Sequence, residues 1–414
     1  MLVRLESLLK DRRSWKNLAR TRIDEHGPGD ILHDFNALVD FLRENEVPLT
    51  GTGLLPLRVL PLINERLAHP LRLGLKRPLQ KSYPPIHGLY LLVRVTGLTI
   101  PVLKGKKLML RVDEEQYRRW RELTPTEQYF TLLEAWITRG KKFVMGDSPH
   151  PLSRSPLEQS LMFLAEIPDK GLRRSEDKDS LNWLGFSPGW HNLGLLYEFG
   201  LISIEDAPPE PGKGWNIQVI KPTRWGDDLL SFLFMELVPT GRLEEIEDMP
   251  IVERPGVLQP ILQPYFPEWK RVLPLPRWKF RPGTYTFKVS LGQIWRRIVI
   301  PAEATLEDLA TAILNSVDFD FDHLYVFEYS DRMGIFHSVH HSYMDERPHV
   351  TEVRIGDVPI HVGQKMKFIY DFGDWWEFDI ILEHVDPEKH VAHAEIVEEH
   401  GAPPPQYGEV DEWI

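Results

Sequence analysis

Along this chain the spacing of apolar residues changes period once, from helical to alternating, near residue 284. Phe35-Asn36-Ala37-Leu38-Val39-Asp40-Phe41-Leu42 places apolar side chains three and four apart and stops at Val47-Pro48, which predicts a first helix. Pro56 opens a second helix through Leu57, Leu60, Ile63 and Leu67. Pro61 inside it requires a kink or a late start, because proline lacks the backbone donor that a helix interior needs. A third helix from Pro85 turns Leu89, Leu92 and Val93 inward and His87, Tyr90 and Arg94 to another side. Two short strands follow, Leu98 to Leu103 and Lys107 to Val112, joined by Lys104-Gly105-Lys106. Glu114 to Ile137 reads as one or two further helices.

Helices followed by a basic-tipped hairpin is the order of a winged helix-turn-helix, which lays its third helix in a DNA groove. The order recurs. Leu193 to Phe199 predicts a helix and Leu201 to Ile204 a strand. The turn Pro208-Pro209-Glu210-Pro211-Gly212-Lys213-Gly214 leads into a second strand, Trp215 to Ile220, and a helix from Trp225 to Phe234 closes the unit. The stretch 142–185 is poorly periodic and predicts no element. The expected organisation is a helical lead-in over 1–34, a basic winged-helix-like domain over 35–140 and a second, degenerate one over 141–237. A proline-rich linker with one short helix over 238–283 and an acidic domain over 284–414 complete it.

In that last domain Tyr285, Phe287 and Val289 alternate with polar residues, and Ile294, Arg296, Ile298 and Ile300 follow the turn Leu291-Gly292-Gln293. Thr305 caps a helix with buried stripe Leu306, Leu309, Ile313 and Leu314, and Asp308 completes the capping logic. Strands are expected at His323 to Tyr329, Lys367 to Phe372 and Trp376 to Glu383. Hairpin, helix and further strands on one sheet predict an α+β class, of β-grasp type, behind a mostly helical, winged-helix-like N-terminal region.

Charge sharpens this division. The net charge of −12 hides a balance of −15 over residues 281–414, which hold 25 acidic and 10 basic side chains. The remaining residues hold 36 acidic and 39 basic ones, a balance of +3. Residues 51–112 carry 11 Lys or Arg against the single acid Glu65, an excess of +10 that fits a polyanion or the chain's own acidic end. Zero cysteines exclude disulfides, thiol catalysis and cysteine-ligated metal centres. Nothing near Met1 resembles a signal peptide and no run is apolar enough to span a membrane, so a cytoplasmic protein without membrane contact is expected.

The densest motif is Asp371-Phe372-Gly373-Asp374-Trp375-Trp376, two tryptophans and two acids around one glycine. It reads as a strand–turn–strand in which Gly373 supplies unusual backbone angles, Asp371 and Asp374 bond local amides, and Trp375 or Trp376 roofs the sheet. Together with Trp295-Arg296-Arg297-Ile298, Thr305-Leu306-Glu307-Asp308-Leu309, His323-Leu324-Tyr325-Val326-Phe327 and Gly401-Ala402-Pro403-Pro404, it resembles the plasmid pRiA-type ORF-three-like family, also described as a passenger protein of insertion elements. The resemblance covers residues 284–410 and implies a compact α+β domain without an established reaction or catalytic set. Two departures stand out. Pro405-Gln406-Tyr407-Gly408-Glu409 replaces the Glu-Asp-Cys-Gly-Gly that commonly continues the proline motif, and Glu377 follows the tryptophans where histidine is frequent.

Asp371-Phe372-Gly373 also opens the kinase magnesium motif, but the phosphate loop and catalytic His-Arg-Asp are absent, so kinase chemistry fails. On a helix, His337, His340 and His341 could share a metal with Asp345 or Glu346. On a strand, His337 and His341 would stand roughly 13 Å apart, too far for one ion. Asp318, Asp320 and Asp322 alternate before His323 without the glycine and distal glutamate of a calcium loop. No catalytic residue, metal site or cofactor is therefore expected. The expected protein is a non-enzymatic adaptor contacting nucleic acid or a protein partner through residues 51–112, with Arg72, Lys76, Arg77, Arg94, Lys104, Lys106 and Lys107 on phosphate. The alternative is a divalent-cation-dependent hydrolase gathering Asp371, Asp374, His337 and His341, and a third reading has the basic stretch packing on the acidic domain.

Overall fold

A computed structural model describes residues 8–9, 14–105, 107–140 and 154–407. The fold is α+β and divides into two compact units, Met1–Ile100 with Met109–Pro276, and Pro101–Leu108 with Arg277–Ile414. The outer part of the basic hairpin, expected as a wing of the N-terminal region, is thus counted with the second unit.

Residues 31–222 repeat one order of elements. Helix Ile31–Glu44, strand β1 (Val47–Pro48), helix Leu60–Asn64 and helix Pro84–Val95 lead into strands β2 (Thr99–Lys104) and β3 (Lys107–Val112). Helix Pro156–Glu166, strand β4 (Leu172–Arg173), helix Lys178–Asn182 and helix Trp190–Glu198 lead into strands β5 (Ile202–Asp206) and β6 (Ile217–Pro222). The sheets run β1-β3-β2 and β4-β6-β5, the same arrangement twice. Pro61 sits in the first turn of its helix, the late start that its missing donor demands. Helix Pro156–Glu166 lies in the stretch where no element was expected. Its signal is the box Ser155-Pro156-Leu157-Glu158, in which Ser155 Oγ accepts from the Glu158 amide at 3.1 Å and Glu158 returns a bond to the Ser155 amide.

One expectation about the third helix is overturned. Helix Pro84–Val95 is buried at every position, including His87, Tyr90 and Arg94, and cannot enter a DNA groove. It packs against helix Trp190–Glu198, its counterpart in the second repeat. Two glycines permit the approach. A Cβ on Gly88 would lie 2.6 Å from Leu195 Cγ, and one on Gly194 would lie 2.5 Å from the Pro84 carbonyl carbon. His87 and His191 meet edge to face at 6.1 Å across the same contact. Helix Pro125–Arg139 fastens both repeats: Arg139 donates to the Val95 carbonyl at 3.3 Å in the first, and in the second Trp136 donates to Asn192 at 2.9 Å and Tyr129 to the Phe199 carbonyl at 2.8 Å.

The segment 238–283 is not a free linker. Up to Pro276 it belongs to the first unit, with Leu258, Leu262, Phe266 and Trp269 buried. Trp269 stacks on Phe130 at 4.9 Å. Glu134 accepts from the Gly256 and Leu258 amides at 2.7 and 2.9 Å, and Glu127 binds the Arg271 guanidinium at 2.9 Å. Proline-rich composition only removes donors. These aromatic and acidic anchors decide that the segment is laid onto the helix.

Among the described residues, the second unit is a seven-stranded sheet with one α-helix. Its strands are β7 (Thr284–Leu291), β8 (Ile294–Pro301), β9 (Tyr325–Ser330), β10 (Phe336–His340), β11 (Lys365–Tyr370), β12 (Trp376–Asp386) and β13 (Glu395–His400). They lie in the order β10-β9-β11-β12-β7-β8-β13, all antiparallel. Helix Leu306–Asn315 follows the first hairpin, capped by Thr305 with Asp308 reaching back to its amide, as the sequence predicts. Phe287, Ile298, Leu309, Ile313, Phe327, Phe368 and Phe378 form the centre of the core between helix and sheet.

A buried acid pair sits where the first unit's repeats meet. Asp34 and Glu198 are both about fully enclosed, at 2% exposure. Burial, then the neighbouring Asp34 and Asp30 charges, push the Glu198 carboxyl well above the carboxylate range. Burial also raises Asp34, against its bonds to His33 and the Ala68 amide. Two raised folded values favour the neutral carboxyl, so the stability they contribute is complete at low pH and lost as pH rises through those values. Glu198→Gln should therefore raise the melting temperature at pH 8 relative to the natural protein, with the gap closing towards pH 4 in a thermal-melt series. Gly194→Ala should destabilise the first unit by about 1–3 kcal/mol in urea unfolding, because a clash with backbone outweighs the gain of at most ~1 kcal/mol in helix propensity.

Candidate functional site

The expected phosphate contacts fall on different elements. Arg72, Lys76 and Arg77 are exposed on the loop before helix Pro84–Val95 and have no ion pair among the described residues. The loop is pinned by backbone bonds between Gly74 and the 208–214 turn, where a Cβ on Gly74 would strike the Glu210 carbonyl. Lys104 and Lys107 are exposed on the hairpin. Arg94 is removed from the set. It is 6% exposed and donates to the Tyr90 hydroxyl at 2.9 Å, a helix-internal role that leaves no face for phosphate. Lys106 lies outside the described residues. Arg66 and Arg111 are neutralised by Glu44 at 2.8 Å and Glu46 at 3.5 Å.

At one end of the second unit's sheet, between β11 and β12, the tryptophan motif forms a tight turn. Asp371 is anchored twice: its amide donates to the Leu324 carbonyl at 3.0 Å and its carbonyl accepts from the Trp375 amide at 2.7 Å. Its side chain accepts from the Gly373 amide at 2.8 Å, the local bond expected of it. Asp374 is exposed and makes no such bond among the described residues. The unusual angles fall elsewhere than expected. Gly373 is outside the left-handed region, while Asp371 and Trp375 have φ of 55° and 58°. Room at Gly373 is tight instead, since a Cβ there would sit 3.1 Å from Asp371 Oδ1 and that carboxylate would have to shift by a few tenths of an ångström. Together with Asp318 at 54°, these are the three non-glycine residues of positive φ among those described, and all border this end of the sheet.

Trp376 begins β12 half-buried and meets Phe319 edge to face at 4.9 Å, the roofing role foreseen for a tryptophan here. Trp375 stays 55% exposed, with its ring 6.1 Å from that of Phe372. Beside them His323 Nε2 lies 3.5 Å from both Asp322 and Asp371. Tyr370 and Tyr407 donate to the two Asp322 oxygens at 3.1 and 2.7 Å. The Tyr407 bond, above all, holds Asp322 below its ordinary value, and the same bond pushes the Tyr407 hydroxyl up to about 12. Gln406, buried next to Tyr407, fixes the tail against Asp322 at 3.4 Å. Sequence reasoning missed Tyr407 and Gln406, which stand at the departure from the family's proline motif. That departure was the available signal.

The hydrolase grouping is not brought together. His337 lies on β10 opposite Tyr329, stacks on it at 5.3 Å and meets Asp331 at 3.2 Å. Asp371 is tied to Leu324 at the other end of β9, about 16 Å away along the strand. His341 reaches the Asp371 end, but its ring lies against Tyr325 at 4.6 Å, and burial lowers its basicity. Among the described residues no group of three or more His, Asp or Glu could hold a metal ion, and no helix is long and apolar enough to cross a membrane.

The fold and its motif turn define an α+β domain carried on an antiparallel sheet. Residues 284–413 match the sequence model of the family described as plasmid pRiA4b ORF-3-like protein, the family that the motifs resemble. Among solved structures, a protein of unknown function from Methanosarcina mazei Go1 is similar at 26% identity, over 30% of this chain and 73% of its own, with a TM-score of 0.28. No curated protein matches the chain.

The left-handed angle at Trp375 gives a direct test of the turn. A non-glycine residue there carries about 1–2 kcal/mol of strain. Trp375→Gly should leave the second unit at least as stable in urea unfolding, whereas Trp375→Val, β-branched in the same conformation, should lower its stability. A marked loss with glycine would assign the turn's stability to the indole instead.

Proposed function

We propose that the protein is a non-enzymatic adaptor whose N-terminal unit contacts nucleic acid through phosphate, without reading bases. The repeated order of helix, strand, two helices and hairpin, with the third strand central in each sheet, supports reading both halves as winged-helix units. Their third helices cover each other, so groove reading is set aside. What remains is a sequence-independent contact from side chains on loops. The observation that carries this reading is the row Arg72, Lys76 and Arg77, exposed and without ion pairs among the described residues, on a loop held rigid at Gly74. A cytoplasmic setting agrees with the absence of cysteine.

Fluorescence anisotropy with duplex and single-stranded DNA at two salt concentrations tests it. Binding should weaken steeply with salt and depend little on sequence. The triple variant Arg72→Ala/Lys76→Ala/Arg77→Ala should flatten the log–log salt slope on duplex by up to about 2.7, at roughly 0.9 per phosphate contact. No binding at low salt, or a slope unchanged in the variant, removes nucleic acid as the partner of this loop.

A further inference from the structure

We propose that the sheet end around Trp375 is a receptor for an arginine-bearing peptide segment of a partner protein. Phe321, Tyr343, Phe372, Trp375 and Tyr407 are the second unit's exposed large aromatic side chains among the described residues, from 40% to 87% exposed, and all belong to this end. Leu324, whose carbonyl receives the Asp371 amide, adds an exposed apolar side chain at this end. The unit has ample interior for aromatic rings, as Phe327 and Phe368 show, so leaving five of them in water calls for a partner.

Charge selects the partner. Residues 317–324, 370–376 and 406–407 hold Asp318, Asp320, Asp322, Asp371 and Asp374 and no lysine or arginine. Among the described residues none of these carboxylates has a Lys or Arg ion pair, and the cation beside them is at most His323. Phosphate-bearing ligands are repelled by such a surface. An uncharged sugar would leave its negative potential uncompensated. A planar guanidinium satisfies both features, stacking on an exposed ring while its paired N–H groups meet a carboxylate in register. The left-handed backbone at Asp371 and Trp375 agrees with a turn shaped for presentation of the indole rather than for its burial. The site is independent of the Arg72 loop and of any role in nucleic-acid binding.

The test titrates the full-length protein with three labelled octapeptides of one length, alternating glycine with arginine, lysine or glutamate. The arginine peptide should bind with salt-sensitive affinity, the lysine peptide several-fold more weakly, and the glutamate peptide not at all. Trp375→Gly, which keeps the turn's backbone, and the charge variant Asp322→Asn/Asp374→Asn should each weaken the arginine peptide at least tenfold. Glu398→Gln/Glu399→Gln on β13, which removes the same number of negative charges from carboxylates already paired with Arg297 and Arg296, should leave it unchanged, as should Arg72→Ala/Lys76→Ala/Arg77→Ala. Absence of arginine-peptide binding at low salt overturns the proposal. Equal loss in the β13 variant also overturns it, since that outcome reports only attraction to an acidic protein. Equal affinity for the lysine peptide overturns the guanidinium assignment.

Discussion

Two glycines set the distance at which helix Pro84–Val95 meets helix Trp190–Glu198, and the architecture of the first unit follows from that contact. With Gly88 facing Leu195 and Gly194 facing the Pro84 backbone, the helices approach more closely than any Cβ would allow. Each then serves as the other's hydrophobic partner, and helix Pro125–Arg139 closes over both, through Arg139 to the first and through Trp136 and Tyr129 to the second. An element order associated with groove reading is thereby turned inward. The chain buries the surface that such a unit would otherwise present.

The second unit is organised by the opposite economy at one end of its sheet. Its interior is aromatic and tightly filled, from Tyr285 and Phe287 on β7 to Phe368 and Tyr370 on β11. At the β11–β12 turn, however, Phe372 and Trp375 are held out in water by a backbone pinned through Asp371 to Leu324. Strain at Asp371 and Trp375 is tolerated because three hydrogen bonds and the roof formed by Trp376 over Phe319 over-determine the turn. Asp322 and Asp371 beside it are met by tyrosine hydroxyls and His323 rather than by lysine or arginine.

Much of this was legible in the sequence, and the failures share one cause. The alternating run from Tyr285, the capped helix at Thr305, the hairpin at Lys104-Gly105-Lys106 and the recurrence of helix and hairpin after residue 185 all rest on local rules of spacing and capping. Arg94 failed because a charge at helical spacing gives no sign of whether another helix will cover it. Segment 238–283 failed because its proline content describes its backbone, while its fate depends on Trp269 finding Phe130, far away in sequence. Helix Pro156–Glu166 was readable from its capping box and was hidden only by a short, weakly periodic setting.

By itself the sequence determined the period of each segment, the caps that start its helices, the family that its last third resembles and the sign of charge at each end. Those properties depend on residues within a turn or two of one another. Only the tertiary structure decided which faces are covered, that Asp371 and Trp375 rather than Gly373 take the left-handed angles, and that His323 rather than His337 stands beside Asp371. Each of these depends on a partner brought from elsewhere in the chain, and burial, strain and pairing are properties of that partnership rather than of any residue alone.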